Sequence, residues 1–253
     1  MARNILITAG GTSEPIDNVR CITNTSTGRL GSLIADAFAG DKSVDKIFYV
    51  CASTAVRPQS ERVTQIVINT VADLQNAVNE LMEQYTIDAV IHSMAVRDYT
   101  VRAVSTTDEI AKKLTEGLYA PSVSTSSLEK ATDSADMRKS EGKLSSSMAS
   151  PVILLEQAPK ILPQFREKLP KAIIVGFKLL SAVPREELFD VALRLLEKNG
   201  CDFVLANDAT EISGDNHVGY LLDGERTALR FDTKQAIASG IADTVIKELN
   251  KRA

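Results

Sequence analysis

The stretch NILITAGGTSEPIDNVRCITNTSTGRLGSLIADAFAG, residues 4–40, predicts how the chain begins to fold. Its apolar run Ile5–Ile7 has the length and composition of a buried strand. Gly10 and Gly11 follow where the backbone must turn sharply, which glycine allows at little steric cost. Further on, an apolar stripe at helical spacing predicts a helix, and its members are Leu30, Leu33, Ile34, Ala37 and Phe38. The stretch therefore predicts a strand, a glycine-rich turn, a loop and a helix, in that order.

Such a unit has backbone amides that can bind an anion. Amides at a glycine-rich loop and at the start of a helix most often hold a phosphate. The spacing matches neither the G-x-G-x-x-G pattern nor a Walker A loop. Two interpretations remain: a site for a nucleotide-like ligand, or a crossover in which the glycines only allow the turn.

The rest of the chain continues to alternate between strand and helix patterns. Apolar runs predict further strands at 46–51, 65–69, 88–92, 152–155, 171–177 and 201–208. Helices are predicted after Thr70, over 186–199 and over 233–251, and a hairpin about Asp223 and Gly224. We therefore predict an α/β fold: a doubly wound, mostly parallel, Rossmann-like sheet with a long flexible loop and a C-terminal hairpin. Ligands of such sheets bind beyond the carboxyl ends of the strands.

Residues 101–150 have the weakest pattern in the chain. Serine and threonine are dense there, and apolar periodicity is weak outside 110–118. A long unpatterned stretch in a compact domain is typically a functional lid or a disordered segment. We therefore predict one domain over residues 1–253, with a lid or insertion at 101–150.

Composition argues against several classes of protein. The 253 residues carry a formal net charge of -4, whereas broad nucleic-acid binding usually requires a basic surplus. The three cysteines form no C-x-x-C pair, and with only two histidines the residues for a zinc site are scarce. The sequence shows neither the apolar region of a signal peptide nor a run of transmembrane length. We expect a cytoplasmic protein that binds neither nucleic acid nor membranes.

Several features of the opening stretch resemble one family. They are the Gly10–Thr12 turn, Glu14–Asp17, Asn18–Arg20, Asn24 and the Ser26–Gly28 turn. Together they resemble the N-terminal signature of phosphopantothenoylcysteine synthetase, also called phosphopantothenate–cysteine ligase. So many matching positions in a short stretch are far more specific than a lone glycine motif.

The resemblance implies a ligase of coenzyme A biosynthesis. It implies the monofunctional bacterial type, because nothing in the chain resembles the flavin-binding decarboxylase half that many bacteria fuse in front. Such a ligase joins 4′-phosphopantothenate to L-cysteine with CTP, through an acyl-cytidylate, and releases CMP and pyrophosphate. The resemblance also implies Mg²⁺ as a cofactor and a homodimer. It identifies no metal ligands and does not decide between CTP and ATP.

The resemblance further implies roles for particular residues. Asn24 and Lys143 are the implied catalytic residues. The implied substrate-binding residues are Arg20, Asn24, Thr27 and Gly28. The implied nucleotide-binding residues are Gly10, Gly11, Thr12, Ser93, Met94, Asp98, Lys143, Pro159, Ile161, Phe177, Arg194 and Lys198. Met94 and Arg97 depart from the family pattern, which has smaller residues at both positions.

Many of these residues also have a purely structural interpretation. A lysine such as Lys143 is most often solvated, and so is a helical pair such as Arg194 and Lys198. Pro159 suits the first turn of a helix, and Phe177 suits a hydrophobic core. Asn24 suits a turn before a helix.

Two other functions remain open from the sequence. An NAD(P)-binding oxidoreductase shares the opening strand, glycine turn and helix, but the third glycine and the acidic residue of that fingerprint are missing. A non-catalytic nucleotide-binding regulator is the other alternative, because Met94, Arg97 and the 101–150 segment depart from the family pattern.

Overall fold

The computed structural model describes residues 2–117, 124–132 and 144–252. Within these residues the strands are β1 (Arg3–Ala9), β2 (Ser13–Pro15), β3 (Cys21–Thr23), β4 (Val44–Ala52), β5 (Val63–Ile68), β6 (Ala89–His92), β7 (Tyr99–Thr106), β8 (Pro151–Gln157), β9 (Ile173–Leu180), β10 (Phe203–Ser213), β11 (Asn216–Asp223) and β12 (Ala228–Thr233). The helices are α1 (Arg29–Ala39), α2 (Val71–Gln84), α3 (Thr107–Gly117), α4 (Thr125–Thr132), α5 (Leu162–Lys168), α6 (Arg185–Asn199) and α7 (Lys234–Arg252).

An eight-stranded sheet organises the larger part of the fold, in the order β12-β11-β10-β9-β6-β1-β4-β5. Six neighbouring strands of this sheet, β10-β9-β6-β1-β4-β5, pair in parallel. Two examples of the register are Ile5↔Ile47 and Ile5↔Ala89. The chain moves outward from β1 to β5 on one side, then crosses back to β6 on the other. The doubly wound, Rossmann-like sheet is therefore confirmed, and its order reverses between β1 and β6.

The C-terminal hairpin is also confirmed. β11 pairs antiparallel with both β10 and β12. At the turn, the Asp223 carboxylate accepts hydrogen bonds from the backbone N–H groups of Glu225 and Thr227, at 3.0 and 2.9 Å. An aspartate at this position satisfies turn amides that the strands leave unpaired.

The predicted apolar stripe of α1 packs on one face of the sheet. Ile34 and Phe38 are fully buried and share a core cluster with Ile5 and Ile7 of β1. Side chains of α7, among them Ile237, complete the same cluster. The buried side chains of β1 and the apolar stripe of α1 therefore pack against each other, as the pattern predicts.

Thr70 is the N-cap of α2, as predicted. Its hydroxyl accepts a hydrogen bond from the backbone N–H of Asp73 at 3.0 Å. The Asp73 carboxylate accepts one from the backbone N–H of Thr70 at 2.9 Å. The two residues form a capping box, which satisfies amides that the helix itself leaves unpaired.

The structure corrects the expectation of an unpatterned loop over 101–150. β7 pairs antiparallel with β8, with Ala103 opposite Leu154 and Thr106 opposite Pro151. α3 and α4 lie between these two strands in the sequence. The partner of β7 is about fifty residues away in sequence, so a local pattern did not reveal the pairing.

The chain divides into two compact units. The first consists of Met1–Thr12, Asn24–Val96 and Lys160–Ala253 and contains the eight-stranded sheet. The second consists of Ser13–Thr23 and Arg97–Pro159 and contains the β2–β3 and β7–β8 pairs. In the part of the chain that the structure describes, no helix is long and apolar enough to cross a membrane.

Candidate functional site

The candidate site lies in the first unit, where β1 and β6 end side by side. The backbone N–H of Ser93 donates to the carbonyl of Thr8 at 3.1 Å, and that of Ala95 donates to the carbonyl of Gly10 at 2.8 Å. The segments that follow the two strands are therefore hydrogen-bonded to each other. Gly10, Gly11 and Thr12 are brought together with Ser93 and Met94, at the switch point where ligands of such sheets bind.

Both glycines of the turn are explained by packing within the protein. Gly10 has a φ of 89°, in the left-handed region that favours glycine, and a Cβ there would lie 2.8 Å from the Cβ of Ala52. A Cβ on Gly11 would lie 2.1 Å from the backbone carbonyl oxygen of Asn24. The second glycine therefore lets the chain at Asn24 approach the turn, whether or not a ligand binds.

The backbone amide of Thr12, an implied nucleotide-binding residue, is already paired within the protein. Its backbone N–H donates to the carbonyl of Ala95 at 3.3 Å, and its carbonyl accepts from the backbone N–H of Asn24 at 3.3 Å. Thr12 is fully buried. Its backbone joins two loops of the site and is not free for a phosphate.

Asn24 is held by the loop that follows β6. Its side-chain Nδ2 donates to the carbonyl of Ala95 at 3.2 Å. This bond orients the amide group across the switch point and is compatible with a role in the turn and with a role in ligand binding. An amide offers both donors and an acceptor without adding charge.

The start of α1 completes this side of the site. Gly28, the N-cap residue, has a φ of 68°, and the Thr27 carbonyl accepts from the backbone N–H of Val56 at 2.9 Å. A Cβ on Gly31 would lie 2.5 Å from the Cβ of Ala9, so α1 begins in close contact with the end of β1. The backbone N–H of Arg29 donates to the Thr27 hydroxyl at 3.4 Å, and the amides of the first turn give the helix start a partial positive charge.

The predicted nucleotide-binding role of Arg194 and Lys198 on α6 stays a prediction. Both are exposed and share one face of α6, but they lie about 14 and 20 Å along the helix from its first residue. α6 starts after the carboxyl end of β9 and ends at Gly200, just before the amino end of β10. Helical spacing predicted the shared face but could not indicate which end of the sheet it lies near.

Phe177 and Ile161 pack locally in the fold, and Pro159 does not lie in a helix. Phe177 is half-buried and packs against the core cluster, as its structural interpretation predicts. Ile161 is buried at the N-cap of α5. α5 begins at Leu162, so Pro163 and not Pro159 lies in its first turn. The helix-start interpretation of Pro159 is therefore wrong.

Met94 and Arg97, the two departures from the family pattern, are both buried. Arg97 Nε donates to the carbonyl of Tyr99 at 3.1 Å, within the second unit. Asp98, also in that unit, accepts a hydrogen bond on its backbone carbonyl from the N–H of Ala158 at 2.9 Å. The second unit also holds Arg20, which lies next to Asp17. Lys143 lies outside the described residues.

His92 is a residue of the site to which the sequence assigned no role. Its Nδ1 lies 2.8 Å from the Thr8 hydroxyl, and its ring packs edge-on against Phe165 with centroids 5.3 Å apart. Burial lowers the pKa of His92 to about 4. The ring is therefore neutral near pH 7. A histidine at the end of a short apolar strand was the one signal that the sequence offered.

The buried His92 predicts a pH dependence of stability. Its pKa is about 4 in the folded chain and roughly 6.5 when unfolded, so the unfolded state binds more protons between these values. The stability is fully present above pH 6.5 and falls as the pH drops towards 4, by about 2 kcal/mol at pH 5. Urea unfolding of the parent and of His92→Gln from pH 7.5 to 5 measures this contribution as the difference between the two curves. A difference that does not change with pH would contradict it.

These features define the chain as an α/β protein with a Rossmann-type sheet, whose switch point is where ligands of such sheets bind. The chain belongs to the family of the DNA/pantothenate metabolism flavoprotein C-terminal domain, whose model matches residues 1–133 and 129–249. The resemblance drawn from the opening stretch is thereby confirmed.

Two curated relatives are longer proteins. The coenzyme A biosynthesis bifunctional protein CoaBC of Thermococcus kodakarensis is 28% identical over 255 residues, covering 98% of this chain and 52% of the relative. CoaBC of Methanocaldococcus jannaschii is 26% identical over 246 residues, covering 96% of this chain and 50% of the relative. The chain thus spans about half the length of these relatives.

Solved structures share the fold. The DNA/pantothenate metabolism flavoprotein from Streptococcus pneumoniae is 30% identical, with a TM-score of 0.79 and 100% of both chains covered. A Cab2 mutant in complex with phosphopantothenate-cysteine is 18% identical, with a TM-score of 0.69 over 98% of this chain and 87% of Cab2. At that identity the second likeness shows the fold alone.

Proposed function

We propose that the chain is a ligase that joins 4′-phosphopantothenate to L-cysteine with CTP and yields 4′-phosphopantothenoylcysteine, CMP and pyrophosphate. The observation that carries the proposal is the position of Asn24. The amide of this signature residue is held across the β1–β6 switch point by the Ala95 carbonyl, at 3.2 Å. The family match over nearly the whole chain and the names of the CoaBC relatives support the same activity.

The proposed reaction has two steps. The carboxylate of 4′-phosphopantothenate attacks the α-phosphorus of CTP, and pyrophosphate leaves, so that an acyl-cytidylate forms. The neutral cysteine amine then attacks the acyl carbon and loses a proton as the amide bond forms, and CMP leaves with the electrons of the broken C–O bond. The first step converts a carboxylate, which is a poor electrophile, into one with a good leaving group.

The residues contribute positioning and charge stabilisation. In this proposal the Asn24 amide binds the acyl-cytidylate, and an uncharged donor suits a group that is already anionic. The start of α1, with Thr27 and Gly28, offers amides and a partial positive charge to a phosphate. Arg20 binds an anionic group of phosphopantothenate, and Lys143 offsets charge on the triphosphate. Ser93 and Met94 line the nucleotide, with Gly10 and Gly11 opposite them.

Mg²⁺ is proposed to bind with the nucleotide. No three side chains among histidine, cysteine, aspartate and glutamate cluster in the described residues, so these residues do not form a dedicated cation site. Mg²⁺ commonly binds through substrate phosphates and keeps several waters. A homodimer and a lid function of the 101–150 segment are proposed from the family resemblance.

The test is pyrophosphate release with purified protein, 4′-phosphopantothenate, cysteine and Mg²⁺, with CTP or ATP in separate reactions. We expect release with CTP that depends on phosphopantothenate, and CMP in an amount equal to that of the amide product. Release with ATP but not with CTP would support the ligase activity and show that ATP, not CTP, is its nucleotide. No release with either would overturn the proposal, and tight NADPH binding in that case would favour the oxidoreductase alternative.

A further inference from the structure

Asp17 is a buried aspartate in the turn between β2 and β3, with no role assigned so far. The turn is closed by hydrogen bonds from the backbone N–H groups of Ile16 and Asp17 to the carbonyl of Arg20, at 2.8 and 3.2 Å. The Asp17 Oδ1 accepts from the backbone N–H groups of Val19 and Arg20, at 2.8 and 2.7 Å. Its carboxylate therefore holds the backbone that carries Arg20.

The same carboxylate binds a segment distant in sequence. Its Oδ2 accepts from the backbone N–H of Leu144, 127 residues further on, at 3.0 Å. The carbonyl of Leu144 in turn accepts from Arg20 Nη2 at 3.4 Å, and Arg20 Nη1 lies 3.8 Å from the Asp17 Oδ2. The backbone of Leu144 is thus held at its N–H by Asp17 and at its carbonyl by Arg20.

The electrostatics favour an ionised Asp17 carboxylate in this clamp, the set of hydrogen bonds that joins Asp17, Arg20 and Leu144. The hydrogen bond from Val19 lowers the pKa of Asp17, those from Leu144 and Arg20 add to the effect, and burial opposes them. The Asp17 side chain has no exposed surface, whereas the Arg20 side chain is 45% exposed. The Arg20 guanidinium therefore lies beside the Leu144 carbonyl and the Asp17 carboxylate, and it still presents N–H groups to solvent. Its planar fork suits a phosphate or a carboxylate.

We infer that Asp17 is a positioning residue for Arg20. It fixes the turn that carries Arg20 and the Leu144 backbone against which the guanidinium rests, so that the remaining N–H groups keep one orientation for an anionic group of the substrate. The inference rests on the proposed function, in which Arg20 binds phosphopantothenate. Asp17 itself does not need to touch any substrate.

The first experiment separates the Michaelis constants of the three substrates. Asp17→Asn has the same size and keeps an oxygen for Val19 and Arg20, but it places an NH₂ group against the N–H of Leu144. We expect the KM for 4′-phosphopantothenate to rise about tenfold, with the KM values for CTP and cysteine within about twofold of the parent. Arg20→Gln should raise the same KM, and the double variant should be no worse than the worse single variant.

Asp223→Asn is the matched control, since it makes the same replacement in the turn between β11 and β12. The Asp223 carboxylate accepts from the backbone N–H groups of Glu225 and Thr227, at 3.0 and 2.9 Å, both close in sequence. The control should leave the three KM values unchanged. If Asp17→Asn raised all three KM values equally, or if its effect and that of Arg20→Gln simply added, the inference would be overturned.

Hydrogen–deuterium exchange tests the clamp without any activity. The backbone amide of Leu144 should exchange faster in Asp17→Asn than in the parent, because its acceptor is lost. Unchanged exchange at Leu144 would overturn the inference even if the chain proved not to be a ligase. If Asp17→Asn did not fold, Leu144→Pro would remove the donated N–H without altering Asp17, and the same rise in one KM is expected.

Discussion

Replacing Asn24 with aspartate is expected to lower the kcat of ligation roughly 10²- to 10³-fold, as is typical when a group that stabilises an oxyanion is lost. In the parent, the Asn24 Nδ2 donates to the Ala95 carbonyl at 3.2 Å. A carboxylate cannot donate this bond and would repel both that carbonyl and the anionic acyl phosphate. Single-turnover measurement of acyl-cytidylate formation would show whether the fall in kcat comes from the first step.

Asn76→Asp is the matched control for this change. It makes the same chemical replacement at an exposed position of α2 and adds the same charge. We expect parent-like ligation from it. Turnover by Asn24→Asp at the rate of Asn76→Asp would show that Asn24 only shapes the turn.

Gly11→Ala is expected to have the largest effect on stability. The new Cβ would lie 2.1 Å from the carbonyl oxygen and 3.0 Å from the carbonyl carbon of Asn24. Both are backbone atoms, so the two chain segments must separate, and overpacking of this kind costs roughly 1–3 kcal/mol. The separation would also move Asn24 away from Ala95, so ligation should fall with stability. Urea unfolding gives the first quantity and pyrophosphate release the second.

Gly224→Ala provides the comparison for Gly11→Ala. At Gly224 the nearest atom to an added Cβ is Leu196 Cδ2 at 4.0 Å, an ordinary contact. Its free energy of unfolding should stay within about 0.5 kcal/mol of the parent, as for other substitutions that disturb nothing. If Gly11→Ala were as mild as Gly224→Ala, the close approach of Asn24 to the turn would not exist in solution.

Much of the fold followed from local patterns. The strand, turn and helix of residues 4–40, the capping box at Thr70 and the hairpin at Asp223 each depend on residues close together in sequence. The mostly parallel pairing of the sheet followed from the alternation of strands and helices, because short connections and right-handed crossovers leave few alternatives.

Other features depend on contacts between distant residues and could not be predicted in this way. The β7–β8 pairing and the Asp17–Leu144 hydrogen bond are examples. The glycine turn shows a further limit: Gly11 was interpreted as space for a ligand or a turn, whereas its Cβ position is filled by the Asn24 carbonyl. The role of the basic pair on α6 stays a prediction, because a helical pattern indicates a shared face but not which end of the sheet that face lies near.

The Asp17 clamp also has a consequence for the order of events during synthesis. Leu144 follows Asp17 by 127 residues. At about 5–20 residues per second, the ribosome needs roughly 6–25 s to produce the partner of a carboxylate that has already been made. During this interval the Asp17 carboxylate must stay hydrated, and the hydrogen bond from the Leu144 N–H to the β2–β3 turn cannot form. The second unit can therefore close only after four strands of the eight-stranded sheet have been made and are available to pair.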